Sequence, residues 1–117
     1  MELVAFIGDD KQTWGQITGL IKRGEWEKIV LIKTKEAKEF PDKNNTESIY
    51  IDTTQSLTDL KKEITSKVKG KLSGLEVSLS IASGNGKEHM ALISALLTLP
   101  VGIRFTVFTK NGVEFIN

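Results

Sequence analysis

The 117-residue sequence predicts an α/β protein of the Rossmann-like type, a three-layer sandwich with helices on both faces of a parallel sheet. Continuous apolar runs alternate with amphipathic segments over the first hundred residues, as in parallel sheets buried on both faces. An Asn-Gly pair between two extended runs near the end predicts a β-hairpin that extends this sheet. We expect the parallel order 3-2-1-4, because nucleotide-binding sheets commonly reverse direction after the third strand.

Composition narrows the function classes. The length suits one domain over residues 1–117. There is no cysteine and only one histidine, so we expect no disulfide and no metal site, and we expect no cofactor. The net charge of +1 gives no field that would draw the chain to long nucleic acid. No segment reads as a signal peptide or a membrane span, so we expect a soluble, cytoplasmic protein.

The first apolar run, residues 3–7, predicts a buried strand that ends in a polar loop, residues 8–13. A helix closed by Gly24 follows, and a second strand is predicted over residues 28–34. Apolar side chains at helical spacing mark the buried face of that helix: Trp14, Ile17, Leu20 and Ile21.

The middle of the chain predicts one more strand and one more helix. Residues 35–47 read as a short helical turn and an exposed loop, and residues 48–52 as a third strand. Ser56 and Asp59 resemble a capping box at the start of a helix that ends near Gly70. The apolar stripe of this second helix is Leu57, Leu60, Ile64 and Val68.

The last third predicts a buried strand over residues 77–82, a glycine turn and a helix over residues 87–97. Two further extended runs, residues 103–108 and 113–116, flank the Asn-Gly turn and complete the sheet as a hairpin.

Two turns are candidates for a binding site. In the expected strand order, the turn after strand one (Gly8, Asp9, Asp10) faces residues 83–87, which follow strand four. A helix that starts directly after a glycine turn has free N–H groups at its positive end, which suits an anion. Lys87 is mildly unfavourable there, by roughly 0.3–1 kcal/mol, unless an anion lies in front of it.

Known catalytic motifs do not fit these turns. The phosphate-binding loop fails because Ile81 replaces its first glycine and Glu88 its Ser/Thr, and neither G-x-G-x-x-G nor G-x-S-x-G is present. Asp9 and Asp10 have three interpretations, as magnesium ligands, as general bases or as helix caps, of which capping is favoured. For His89, a packing role is favoured over a catalytic one. For Trp14, packing in the core is favoured over stacking on a base.

A family resemblance rests on the residues after strand four. The run Ser83-Gly84-Asn85-Gly86-Lys87-Glu88-His89-Met90 resembles the signature of CARF domains, the CRISPR-associated Rossmann-fold sensors. The first strand ending in Gly8 with a polar loop through Thr13 is also similar, as are residues 101–105 and the Asn-Gly turn. The resemblance covers nearly the whole chain, which is identified as a stand-alone, single-domain member.

The resemblance implies a homodimer whose two sites merge across a two-fold axis and bind a cyclic oligoadenylate, the second messenger of type III CRISPR defence. By position, the residues that would hold ribose-phosphate are Ser83, Gly84, Asn85, Gly86 and Lys87. Lys87 would also stabilise charge in catalysis. The opposite wall would consist of Gly8, Asp9, Asp10 and Thr13. The implied activities are messenger binding and cleavage as a metal-independent ring nuclease.

The sequence departs from the family pattern in two places. Asn85-Gly86 replaces the commoner Gly-Thr, and paired aspartates stand where phosphates favour neutral or basic groups. Cleavage needs only in-line attack by a ribose 2′-hydroxyl, and the only candidate bases are Asp9 and Asp10, so we expect slow turnover or none. The domain is then a nuclease, a sponge or a sensor with a separate effector. The alternative functions are a non-catalytic protein-interaction domain and a generic nucleotide-binding domain.

Overall fold

A computed structural model describes all residues, 1–117, and contains six strands, three α-helices and two short 3₁₀ turns. The strands are β1 (Glu2–Ile7), β2 (Ile29–Lys33), β3 (Thr46–Tyr50), β4 (Glu76–Ser80), β5 (Gly102–Thr109) and β6 (Gly112–Phe115). The helices are α1 (Trp14–Arg23), α2 (Leu57–Val68) and α3 (Gly86–Leu97), and the 3₁₀ turns are Lys11–Thr13 and Lys35–Glu39. None of the helices is long and apolar enough to cross a lipid bilayer.

The six strands form one mixed sheet in the order β3-β2-β1-β4-β5-β6. All neighbouring pairs are parallel except β5 and β6, which form the antiparallel hairpin. The predicted 3-2-1-4 order, the terminal hairpin and the Rossmann-like α/β class are therefore confirmed. The central strand β1 is buried along its whole length, as its continuous apolar run predicted.

Alternate side chains of β1 enter two separate hydrophobic cores. Val4 and Phe6 pack on the face that α2 and α3 cover, with Ile64 of α2 and Leu92 of α3 in the same core. The opposite face packs under α1, and its core is Leu3, Ala5, Ile7, Ile17, Leu20, Ile29, Leu31, Ala37 and Phe40. Burying each large aliphatic or aromatic side chain contributes roughly 1.5–3 kcal/mol, so these two layers hold the sheet in place.

Two local predictions are confirmed with a change of detail. The β5–β6 turn has only Gly112 at a positive φ, 102°, so it fits a turn with a glycine bulge rather than one with both central residues left-handed. At the start of α2, the Ser56 hydroxyl accepts the Asp59 N–H at 3.2 Å. The Asp59 carboxylate makes no return bond, so the capping box is half formed.

Candidate functional site at the carboxyl edge of the sheet

The turns that follow β1 and β4 touch each other. Their strands are direct neighbours in the sheet, and the Gly8 N–H donates to the Ser83 hydroxyl at 2.9 Å. A Cβ on Gly8 would lie 2.7 Å from the Gly84 Cα, closer than real side-chain atoms approach. Glycine at position 8 therefore allows the two backbones to meet, and the predicted juxtaposition of the two turns is present.

Ser83 joins the two turns from inside. It is 0% exposed. Its hydroxyl accepts the Gly8 N–H and donates to the Asp10 Oδ1 at 3.1 Å. Both capacities of the hydroxyl are thus used within the protein. Ser83 fixes the geometry of the site and presents no free group to solvent.

Asp10 is an internal anion between the turns. Its carboxylate accepts the Gly84 N–H, at 3.0 Å to Oδ1 and 3.3 Å to Oδ2, as well as the Ser83 hydroxyl. Burial by itself raises the pKa of Asp10, but the hydrogen bonds from the Gly84 N–H and the Ser83 hydroxyl outweigh it, so the pKa lies below its usual value. The favoured interpretation of the aspartates as helix caps holds only for position: Asp10 is the N-cap residue of the 3₁₀ turn, but no side chain caps that turn or α1.

The rest of the first turn is held by its own hydrogen bonds. The Asp9 carboxylate accepts the hydroxyl of Thr34, which follows β2. The Thr13 hydroxyl donates to the Asp10 carbonyl at 2.7 Å. Thr13 therefore stabilises the turn through its own backbone, whereas the Asp9 side chain is exposed at the site.

A reciprocal capping box starts α3. The Asn85 side chain accepts the Glu88 N–H, and the Glu88 carboxylate accepts the Asn85 N–H, both at 2.9 Å. The Asn-x-x-Glu spacing is a readable sequence signal for this box, although Glu88 was interpreted only as a residue that excludes a phosphate-binding loop. Two N–H groups remain without a partner within the protein at the positive end of the helix, those of Gly86 and Lys87.

Glu88 is buried beside the two aspartates. Burial raises the pKa of its carboxyl. The hydrogen bond from the Asn85 N–H opposes this effect, and the nearby Asp9 carboxylate adds to it. The folded protein therefore holds a proton on Glu88 more tightly than the unfolded chain does.

The raised pKa of Glu88 makes a testable prediction for Glu88→Gln. Below about pH 4.5, the pKa of Glu88 in the unfolded chain, Glu88 is protonated in both the folded and the unfolded state. Its contribution to the free energy of unfolding is then fully present. As the pH rises through the higher folded-state pKa, wild-type protein should lose unfolding free energy relative to the variant. Urea unfolding of both proteins between pH 3.5 and 7.5 measures the difference. Glutamine is the suitable substitution because it retains an oxygen that can accept the Asn85 N–H. A stability difference between the two proteins that does not change with pH would contradict the prediction.

The Lys87 side chain forms hydrogen bonds with neither the turn after β1 nor the rest of the turn after β4. Its Nζ donates to the carbonyls of Thr53 at 3.0 Å and Gln55 at 2.5 Å, in the segment between β3 and α2. It forms no ion pair with any carboxylate. This segment, the third turn (residues 52–56), was not predicted to belong to the site, since nothing in it signals a contact with a lysine more than thirty positions away.

A small cavity of about 200 Å³ lies between the first two turns. It is lined by Asp9, Asp10, Gly84, Asn85 and Glu88, so three carboxyl groups face it and no cation does. The cavity suits hydrogen-bond donors such as hydroxyl groups, whereas the free N–H groups of Gly86 and Lys87, which directly follow the lining residue Asn85 in the chain, suit an anion. A larger hollow of about 550 Å³ lies beside Trp26 and Asn45, away from both turns.

His89 and Trp14 both have packing roles. The His89 Nε2 lies 2.7 Å from the Ser83 carbonyl, which requires a proton on that nitrogen, and the ring meets Phe6 edge-on. The Trp14 Nε1 donates to the Gly8 carbonyl at 2.9 Å while its ring packs edge-on against Phe40. Both side chains brace the turns, as the favoured interpretations held.

The sheet order and the apposed turns define a Rossmann-like α/β protein with a candidate site where the strand order reverses. No protein-family model matches the chain, and no curated protein matches it.

Proposed function

We propose that the site binds a cyclic oligoadenylate, the messenger that the resemblance to CARF domains implies. The observation that carries this proposal is the pairing of two free N–H groups, those of Gly86 and Lys87, with a cavity lined by hydrogen-bond acceptors. A ribonucleotide ring presents the matching groups, because its phosphates accept hydrogen bonds and its ribose hydroxyls donate them.

Charge decides where each part of the ligand lies. A phosphate inside the cavity would meet the carboxylates, at a cost of roughly 4 kcal/mol per pair at 4 Å with an effective dielectric constant of 20. The phosphate therefore binds on the rim, at the N–H groups of Gly86 and Lys87 and within reach of the Lys87 ammonium. The ribose hydroxyls point inward, where the exposed Asp9 carboxylate is an acceptor.

A homodimer is the second part of the proposal. The outer face of α3 carries Met90 and Leu97, which are 57% and 68% exposed. Ile93 lies between them at helical spacing and is half-buried against the core. Ile116, after β6, is 65% exposed. This apolar face begins three residues after Lys87. A two-fold axis through it, parallel to the strands, would keep both carboxyl edges on one side and bring the two sites together.

Cleavage is the third part, as a slow activity. The ribose 2′-oxygen attacks the adjacent phosphorus, the bond to the 5′-oxygen breaks, and the products are a 2′,3′-cyclic phosphate and a 5′-hydroxyl. The 2′-proton passes to a carboxylate, and the departing 5′-oxygen takes up a proton from water or from Lys87. Asp9 suits the first transfer best, because it is exposed at the cavity. Both Asp10 oxygens already accept hydrogen bonds, and Glu88 is buried and holds its proton more tightly.

Calorimetry with cyclic tetra-adenylate and cyclic hexa-adenylate tests the binding proposal. Wild-type protein should give saturable heat with at least one ring. Lys87→Ala should weaken binding by about 10- to 150-fold, since a hydrogen bond to a charged group contributes about 1.5–3 kcal/mol. Lys62→Ala is the matched control, because Lys62 is an exposed helical lysine with no hydrogen-bond or ion-pair partner.

Two outcomes would overturn the binding proposal: no heat from wild-type protein with either ring, or equal binding by wild type and Lys87→Ala. Chromatography of the bound nucleotide after incubation then separates an enzyme from a sponge, because only an enzyme releases linear products.

The exposed face of α3 also favours a second candidate, a non-catalytic protein-interaction domain. A monomer by light scattering that gives no heat with either ring, but captures one protein in stoichiometric amount, would favour this candidate. A dimer that binds the messenger would exclude it.

A further inference from the structure

We propose that Lys87 couples ligand binding at the site to the conformation of the third turn, residues 52–56 between β3 and α2. The inference rests on the proposed function and adds a conformational readout to it. In the unbound protein the Lys87 ammonium holds the third turn, and in the bound protein it turns to the ligand phosphate and releases that turn.

The third turn is attached at two ends. On the α2 side, the Glu63 Oε1 accepts the Asp52 N–H at 3.2 Å and the Gln55 side-chain amide at 2.5 Å. On the α3 side, the only hydrogen bonds are those from the Lys87 Nζ to the carbonyls of Thr53 and Gln55. Removing the ammonium therefore detaches the third turn from α3 while its attachment to α2 remains.

The ammonium has a reason to leave when an anion binds. Its two hydrogen-bond partners are neutral carbonyls. The Asp52 carboxylate, whose pKa is lowered mainly by the Thr54 hydroxyl and also by the charge of Lys87, forms no ion pair with it. The ammonium is charged in both sets of hydrogen bonds, but a phosphate is charged as well, so the attraction between opposite charges is added to the hydrogen bond. The flexible lysine stem lets the ammonium reach a phosphate bound at the backbone N–H of the same residue. The exchange costs the Thr53 and Gln55 carbonyls their charged donor, and neutral water, a weaker donor, takes its place.

Carbon-13 chemical shifts of the Thr53 and Gln55 carbonyls measure the exchange, because a carbonyl carbon moves upfield when it loses a hydrogen-bond donor. Saturation of wild-type protein with cyclic tetra-adenylate or cyclic hexa-adenylate, whichever gives heat, should move both signals upfield. Lys87→Met without ligand should move them in the same direction, whereas Lys62→Met should leave them unchanged. Lys87 is exposed, so the variant should fold, and the rest of the spectrum verifies that it does.

The outcomes separate this inference from the proposed function. Heat of binding with unmoved Thr53 and Gln55 carbonyls would overturn the coupling and leave ligand binding intact. Unmoved carbonyls in Lys87→Met would also overturn the coupling. No heat with either ring would overturn both proposals.

Discussion

Gly84→Ala should destabilise the protein by about 2–5 kcal/mol, a large part of the 5–15 kcal/mol that stabilises a typical domain. Gly84 has φ 101°, where a side chain is strained by roughly 1–2 kcal/mol. An added Cβ would lie 2.7 Å from the Phe6 Cδ1, 3.0 Å from the Glu88 Oε1 and 3.1 Å from the His89 Nε2. Overpacking of this kind adds about 1–3 kcal/mol. Urea unfolding followed by circular dichroism measures the loss.

Gly86→Ala is the matched control for this prediction. Gly86 lies two residues further on, has no positive φ, and has open space where a Cβ would be added. Alanine in the first turn of α3 should be neutral or stabilise by up to about 1 kcal/mol. Equal stabilities of Gly84→Ala and Gly86→Ala would contradict the tight packing of Gly84 against Phe6, Glu88 and His89.

Asp10→Ala should be the second most damaging change, with a loss of about 1.5–3 kcal/mol at neutral pH, because it removes a charged acceptor from the Gly84 N–H and the Ser83 hydroxyl. The loss should depend on pH. The pKa of Asp10 is lowered in the folded state, so its contribution is present above the unfolded value of about 3.8 and disappears as the pH falls through the folded-state pKa.

Unfolding of wild type and Asp10→Ala between pH 2 and 7 measures this dependence. The stability difference should be constant near neutral pH and shrink below about pH 3.8. Glu25→Ala removes an exposed carboxylate that has no hydrogen bond or ion pair, and it should change stability little at any pH. A difference for Asp10→Ala that grows on acidification would show that the carboxylate does not hold the turns together.

The sheet could be predicted because burial leaves a clear pattern in the sequence. Residues 3–7 are continuously apolar because both faces of β1 are covered, and that pattern predicted a strand buried on both sides. Its place between strands two and four was predicted from the usual order of nucleotide-binding sheets. The juxtaposition of Gly8 with residues 83–87 followed from the strand order, which places the ends of β1 and β4 next to each other.

The hydrogen bonds of the site could not be predicted in the same way. Local patterns suggested that the aspartates cap their own helix, yet the Asp10 carboxylate accepts an N–H 74 residues further along the chain. Lys87 likewise donates to carbonyls 32 and 34 residues away. Such bonds depend on side-chain directions that only the folded sheet determines. The Asn85–Glu88 capping box was different, because its spacing is local and could have been read.

The central claim is that the N–H groups at the start of α3 receive a phosphate of a cyclic oligoadenylate. A titration of nitrogen-15-labelled protein with cyclic tetra-adenylate and cyclic hexa-adenylate tests it most directly, because amide shifts locate the ligand. The predicted result is saturable shifts that are largest at the amides of Gly86 and Lys87. An unchanged spectrum, or shifts confined to the hollow beside Trp26, would contradict the claim.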